Sequence, residues 1–372
     1  MLVLLLACIS VDYHPSQPVS FQPMPSNVQP SNKVLAALGL DKVKLTPFES
    51  GLINNSWHVE KPNKETLVLQ RVNPIFPPTI NDDINTLTQH LEKKKIPTPL
   101  LLPTPSGKLW LEDNNYVWRM LTFIPGITRD VLETPYQAEE AGALLANFHL
   151  GVSDLRIKFT NPRLGVHNTR EHLEKLKKTL AKYKDHVHYK DVKILGERIL
   201  KFASTLPKLP NSLDQIVHGD PKISNVIFDK ETDQAICLVD LDTISTMPII
   251  LELGDAIRSW CNVKGEDSLD SFLSLPFFQA AINGYSKKAG HLLTKQEWDA
   301  IPAAVLTITI ELAARFTTDA LVENYFGWNS ELYATSSEHN QIRAQSQICL
   351  AKSILSQWNS IGDAICSKET ST

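Results

Sequence analysis

Residues Ile216 to Arg258 run IVHGDPKISNVIFDKETDQAICLVDLDTISTMPIILELGDAIR. Within them His218-Gly219-Asp220 is followed by Asn225, five residues after the aspartate. Asp240 closes two short apolar runs, Val226-Ile227-Phe228 and Ile236-Cys237-Leu238-Val239, that predict a small hairpin. Upstream, Ser56 to Glu60 alternates and Thr66 to Val72 predicts a strand, with a Pro-Asn turn between them. Leu109-Trp110-Leu111 and Tyr116 to Leu121 flank Asp113-Asn114-Asn115 as a second hairpin. Ile84, Leu87 and Leu91 predict a helix over Asp82 to Lys95, with Asn81 as its cap. Beyond Ile124-Pro125-Gly126 the period becomes helical, over Tyr136 to Leu150, Arg170 to Tyr183, Val192 to Ser204, Ala303 to Tyr325 and Ile342 to Trp358. A strand-rich part, a Pro-Gly hinge and a helical part holding one hairpin predict an α+β fold of two lobes. Residues 1–32 are read as an extension, 33–122 as the N-lobe and 123–372 as the C-lobe.

The bulk properties fit such a chain and exclude several others. With 42% hydrophobic residues over 372 positions, it has enough apolar surface to build real cores. The 37 Lys+Arg against 41 Asp+Glu give a net charge of −4, which argues against a chain-wide nucleic-acid footprint. Five scattered cysteines, never spaced as Cys-x-x-Cys, suggest free thiols in a reducing compartment. Met1 to Ser10, MLVLLLACIS, resembles the start of an export signal but lacks a basic flank and is too short to span a bilayer. Five prolines between His14 and Asn32 make the following segment a linker. The expected compartment is the cytoplasm, with export or lipidation at Cys8 as the alternative, and no membrane span is expected later: the best apolar run, Ile301 to Ala314, is interrupted by Glu311.

The spacing around the hairpin carries chemistry. Phosphoryl transfer from a nucleotide requires a carboxylate to orient the acceptor hydroxyl and oxygen ligands to hold Mg²⁺ against the phosphates. An Asp, an Asn five residues on and a metal Asp after the next strand pair is the arrangement of the protein-kinase catalytic loop. Asp220 is therefore the expected catalytic group, and Asn225 and Asp240 the expected metal ligands. Each alone would be an ordinary turn or strand-end residue; their order around one hairpin is the signal. A carboxyl of ordinary pKa near ~3.9 is too weak to deprotonate an alcohol outright, so Asp220 is read as an orienting group that accepts the proton late.

On these residues the chain resembles the aminoglycoside phosphotransferase and choline-kinase-like superfamily of small-molecule kinases, and within it the bacterial N-acetylhexosamine 1-kinases. The matching pieces are Gly51-Leu52-Ile53-Asn54-Asn55, Leu69 to Asn73, His218 to Asn225, Val239 to Thr243 and Gly254 to Arg258, with Arg315-Phe316, Thr318-Asp319, His339-Asn340 and Arg343 later. The resemblance implies a protein-kinase-like fold and an ATP- and Mg²⁺-dependent transfer to the hydroxyl of a small polar acceptor, foremost a sugar. An aminoglycoside, choline-like or homoserine-like acceptor, or a silent nucleotide-binding protein, are the alternatives. It implies that Ser50 to Ser56, with Gly51, Asn54 and Asn55, lies over the nucleotide phosphates, and that Arg71 or its neighbour takes the part of the third-strand lysine. Strand alternation prevents Gln70 and Arg71 from facing the nucleotide together, and Arg71 carries the charge. Arg315 and Asp319, four apart on a helix, are either a salt bridge or acceptor-binding groups, and Asp255 and Arg258 share that ambiguity. One position departs: the hexosamine kinases have His where this chain has Leu52, which leaves the acceptor open. His186, His188 and the lysines after Glu174 read as solvated surface, and no P-loop or nucleophile-elbow motif occurs.

Overall fold

The computed structural model describes residues 29–48, 53–161 and 165–369; Gly51 and Leu52 lie outside these. A short helix α1 (Asn32–Ala37) leads into the strands β1 (Lys44–Pro47), β2 (Asn55–Glu60) and β3 (Thr66–Val72), then helix α2 (Ile80–Lys93), and β4 (Leu101–Leu102), β5 (Leu111–Asp113) and β6 (Tyr116–Thr122). These strands form one antiparallel sheet, ordered β1-β2-β3-β6-β4 with β5 on β6. The β5–β6 turn uses Asn114 and Asn115 at φ 50° and 65°, the left-handed pair that a tight hairpin demands.

Alternation along β3 and β6 divides the sheet into two faces. Leu67 and Leu69 join Trp57, Val59, Trp118 and Met120 beneath Val34, Leu38 and Leu40, with the Trp57 and Trp118 rings stacked 5.7 Å apart. The opposite face sends Val72, Val117 and Leu121 into the large core shared with α2 and the later helices. Because Gln70 pairs with Arg119 and Arg71 with Trp118 in the register, Gln70 and Arg119 belong to the second face and Arg71 to the first.

The remainder is helical: α3 (Pro135–Val152), α4 (Thr169–Lys182), α5 (Tyr189–Ala203), α6 (Ile249–Trp260), α7 (Leu275–Ala289), α8 (Lys295–Val322), α9 (Ser336–Ser356) and α10 (Trp358–Glu369). It is interrupted by the pairs β7 (Asp214–Val217) with β10 (Ser245–Pro248) and β8 (Val226–Phe228) with β9 (Ala235–Leu238). The β7–β10 pair had no signal of its own in the sequence. Helix α8 packs against α4, α5, α6 and α9. It begins eight residues before the expected Ala303 and passes through Pro302; a reciprocal cap between Thr294 and Glu297 starts it, and burial on nearly every side offsets the one missing backbone bond. It is the one described helix long and apolar enough to cross a membrane by length and composition, and most of that surface is buried inside the fold. Asn81 is not the cap of α2: it stands inside the helix and donates back to the Pro78 carbonyl at 2.8 Å.

Helices α3 and α7 touch backbone to backbone. A Cβ on Gly142 would stand 2.1 Å from the Ala281 carbonyl oxygen, and one on Gly284 would stand 1.9 Å from that of Glu139. Neither neighbour can rotate away. Gly284→Ala should therefore destabilise the protein by about 2–3 kcal/mol, read as a lowered denaturation midpoint. Gly362→Ala in α10, where nothing lies within 4 Å, should be neutral or slightly stabilising in the same assay.

Candidate active site

The loop leaving β7 is held from behind by α6. Gly219 at φ +85° brings its backbone against Thr243, so close that a Cβ would lie 2.1 Å from the Thr243 carbonyl oxygen. Its N–H donates to Glu252 Oε1 at 2.6 Å, while Glu252 Oε2 lies 2.5 Å from His149 Nε2, and His149 Nδ1 lies 2.8 Å from the Tyr285 hydroxyl. Further along α6, the Ser259 hydroxyl accepts from Ile223 N at 3.0 Å and the Trp260 indole donates to the Pro221 carbonyl at 2.7 Å. His218 is fully buried; burial holds its pKa below the ordinary value, and its Nε2–H donates to the Val239 carbonyl at 2.9 Å.

This loop and the β8–β9 pair bring Asp220, Asn225 and Asp240 together. The Asn225 amide donates to the Asp220 carbonyl at 2.8 Å and to Asp220 Oδ2 at 3.2 Å. Val239 N donates to the Asn225 carbonyl at 2.9 Å, which sets Asp240 beside Asn225. Asp240 adopts φ 65°, ψ 60°, a left-handed conformation that turns the chain sharply after β9. Burial raises its carboxyl, and the charge of Asp242 raises it further, to about 6. Lys222, which the sequence reading passed over, donates to Asp220 Oδ2 at 2.7 Å. Burial alone would raise the Asp220 carboxyl, but Lys222 outweighs it and holds the group below its ordinary value. The Asp-x-Lys spacing was the available clue.

Among the described residues no three His, Cys, Asp or Glu side chains form a metal cage. The donor set nevertheless fits a hard divalent cation: an amide oxygen and a carboxylate, from Asn225 and Asp240, are what Mg²⁺ uses when water and substrate phosphates complete its shell.

Facing this loop, the sheet contributes a buried network. Arg119 Nη1 and Nη2 donate to Asp242 Oδ1 and Oδ2 at 2.6 and 2.9 Å, Nη1 also to Asn81 Oδ1 at 3.2 Å, and Nε to Gln70 Oε1 at 2.9 Å. The Asn54 amide donates to Asp242 Oδ2 at 2.6 Å, and its carbonyl accepts from Asn73 N at 2.9 Å. Asn55 Oδ1 accepts from Arg71 Nε and Nη2 at 3.1 and 2.6 Å, and the Arg71 guanidinium lies 4.6 Å from the Tyr116 ring centroid. The side chains of Asn54 and Asn55 are thus committed to the scaffold. Arg71, expected beside the nucleotide, sits on the sheet face opposite the one that meets Asp242; the charge on that face is Arg119.

The expected acceptor residues divide. Arg258 is buried and pairs with Asp255 Oδ1 at 3.0 and 2.8 Å and with Glu266 at 2.5 Å, and its charge reaches Asp220. Arg315 does not pair with Asp319. Its Nη2 donates to the Tyr325 hydroxyl at 3.4 Å and its guanidinium lies 5.7 and 5.6 Å from the Tyr325 and Phe326 ring centroids. Burial works against its charge, but the Tyr325 hydroxyl, Glu311 and Asp255 leave its pKa raised. Asp319 instead accepts the N–H groups of Asn324 and Tyr325 at 3.0 Å and of Phe326 at 2.8 Å, with the Asn340 amide at 3.1 Å. It builds the turn that carries Tyr325.

Residues 44–287 match the phosphotransferase enzyme family, and the chain belongs to it. The fold is similar to several solved structures. An aminoglycoside phosphotransferase from Alicyclobacillus acidocaldarius matches with a TM-score of 0.58 at 12% identity, over 90% of this chain and 97% of that one. An ethanolamine kinase from Plasmodium vivax matches with a TM-score of 0.56 at 13% identity, over 87% and 91%. An amicoumacin kinase in complex with AMP-PNP, Ca²⁺ and Ami matches with a TM-score of 0.54 at 12% identity, over 83% and 88%.

The role found for Asp319 is measurable. Asp319→Ala leaves three backbone N–H groups without their acceptor and should lower stability by about 3 kcal/mol. Asp319→Asn, which keeps one acceptor oxygen, should lose less. Equal denaturation midpoints for the Ala variant and the unsubstituted protein would contradict the assignment.

Proposed function

We propose that this protein is a nucleotide-dependent small-molecule kinase that moves the γ-phosphoryl group of ATP to a hydroxyl of a polar acceptor. The observation that carries this is the convergence of Asp220, Asn225 and Asp240 on one loop and hairpin, each in the order and spacing that phosphoryl transfer requires. Asp220 orients the acceptor hydroxyl. With Lys222 and Arg258 holding its carboxyl ionised, it is a poor base in the ground state and takes the proton as the oxygen–phosphorus bond forms. Asn225 and Asp240 would hold Mg²⁺, which when bound neutralises charge on the transferring phosphates. The turn over residues 50–56, Gly51 included, would cover the phosphates with its backbone N–H groups, since Asn54 and Asn55 use their side chains elsewhere.

The acceptor end favours a hydroxylated, uncharged molecule such as a sugar over an ammonium-bearing one. Arg258 acts on Asp220 from one side, and Arg315 lies beside Tyr325, with one long hydrogen bond to its hydroxyl, within the field of Glu311 and Asp255. A cationic acceptor would meet like charge there. Guanidinium N–H groups are donors suited to hydroxyl and carbonyl oxygens. An N-acetylhexosamine is the specific acceptor we propose, on the sequence resemblance. An amino alcohol would need its ammonium group to find Asp255 or Glu266, both already engaged by Arg258.

The test is ADP release with ATP and Mg²⁺ over sugars, amino alcohols and aminoglycosides. Turnover is expected with a sugar; turnover with choline or ethanolamine alone would overturn the acceptor assignment, and none with any hydroxylated acceptor would favour a silent nucleotide-binding protein. Asp220→Asn should reduce kcat by about 10³-fold or more while leaving AMP-PNP affinity within about twofold. Asp240→Ala should remove the Mg²⁺-dependent part of AMP-PNP binding, measured by calorimetry with and without EDTA.

A further inference from the structure

Kinases of this architecture place a lysine on the third strand, paired with a helix glutamate, to hold the nucleotide phosphates. This chain has neither partner in place. On β3 the residue on the inner face is Gln70, and the α2 residue that meets the network is Asn81, two amides where an ion pair is expected. The charges have moved: the cation is Arg119 on β6 and the anion is Asp242, two residues past Asp240. Arg119 and Asp242 are buried, with side-chain exposures of 3% and 0%, whereas Gln70 is only half-buried.

A guanidinium can only donate, so the 2.9 Å contact from Arg119 Nε fixes which end of the Gln70 amide it touches: the carbonyl oxygen. The amide nitrogen must then point away from Arg119. It does, donating one hydrogen to the Ser56 hydroxyl on β2 at 3.0 Å. An amide nitrogen carries two hydrogens, and no acceptor among the described residues takes the second.

Resting on the kinase reading, we propose that the Gln70 amide nitrogen is the third-strand donor to a phosphate oxygen of the nucleotide, and that Arg119 is the positioning residue that aims it. The arrangement has an electrostatic consequence. Asp242 neutralises Arg119, so the third strand presents a dipole and no net charge to the phosphates. Nucleotide affinity then depends on the cation at Asn225 and Asp240 more steeply than a third-strand lysine would require. The same network ties nucleotide contact to lobe geometry, because Asn54 at the end of the turn and Asp242 beside the metal ligand share one hydrogen bond at 2.6 Å.

The decisive variant is Gln70→Glu. It keeps an oxygen for Arg119, and so the fold, but removes the amide donor and adds a negative charge beside the phosphates. Calorimetric titration with Mg²⁺·AMP-PNP should show affinity reduced by about tenfold or more, with a melting temperature equal to or above that of the unsubstituted protein. Gln70→Ala, should the first variant fold poorly, should lose affinity by a similar factor. Arg119→Lys keeps the charge on Asp242 but cannot also hold Gln70, and should lose affinity by several-fold while Gln70→Ala in that background loses little more. Affinity within twofold of the unsubstituted protein for Gln70→Glu would overturn the assignment and leave the kinase reading standing. Failure of the unsubstituted protein itself to bind Mg²⁺·AMP-PNP would overturn the kinase reading and this inference with it.

Discussion

The carboxylate of Asp242, buried with no exposed surface, is where the strand-rich and helical parts of the molecule are joined. Burying a guanidinium and a carboxylate together costs several kcal/mol per ion in desolvation, and such a pair persists only where nearly every hydrogen bond is made. Here Arg119 donates to Asp242 through both terminal nitrogens, to Asn81 and to Gln70, and Asp242 also receives Asn54. Apolar residues of the same volume could pack as stably. They could not hold β2, β3, α2 and β6 at one fixed point relative to Asp240, because apolar contacts have no preferred direction. The pair is therefore best understood as a geometric constraint: it trades desolvation for a single register between the sheet and the hairpin.

A second constraint works from the other side. Helix α6 carries Glu252, Ser259 and Trp260 to the back of the loop, and each bonds a backbone group of residues 219–223. Glu252 in turn leans on His149 of α3 and Tyr285 of α7, the two helices whose glycines let them touch. Close packing of α3 on α7 and the position of Gly219 are thus one structural fact. A loop that must present Asp220 to a reacting hydroxyl cannot rely on its own stiffness, and the buried bonds behind it supply the preorganisation.

The loop and hairpin were legible because their information is local. Asp220, Asn225 and Asp240 fall within 21 residues, and their spacing has few other uses. The strands β2, β3 and β6 and the helices α3 to α5 declared themselves by period. What could not be read is long-range. Arg119 and Asp242 are 123 positions apart, and nothing near either residue announces the other. Alternation showed that Gln70 and Arg71 face opposite ways, yet not which face is turned to Asp242, since both side chains are polar and both flanks of β3 are apolar. Preferring the charged residue followed a chemical rule, and the charge that faces Asp242 comes from another strand, at Arg119. The Arg315–Asp319 pairing is absent for a related reason: helical spacing brings the two together, but the three N–H groups of the following turn outcompete a single side chain. Family membership itself was readable, because it rests on the local pieces.

The charges around the loop are for the most part paired within the protein. Around the reacting end, Lys222 answers Asp220, and Arg258 answers Asp255 and Glu266. Glu311 is taken by His167 and Thr169, at 2.9 and 2.6 Å. Asp220, Asp255, Glu266 and Glu311 thus each have a cationic or hydrogen-bonding partner within the protein. Arg315 is the exception on the cationic side, its charge facing aromatic rings and a phenol. On the proposed function, the choice of acceptor would rest on the charges carried by the helices around the loop, Arg315 among them, and not on the loop itself.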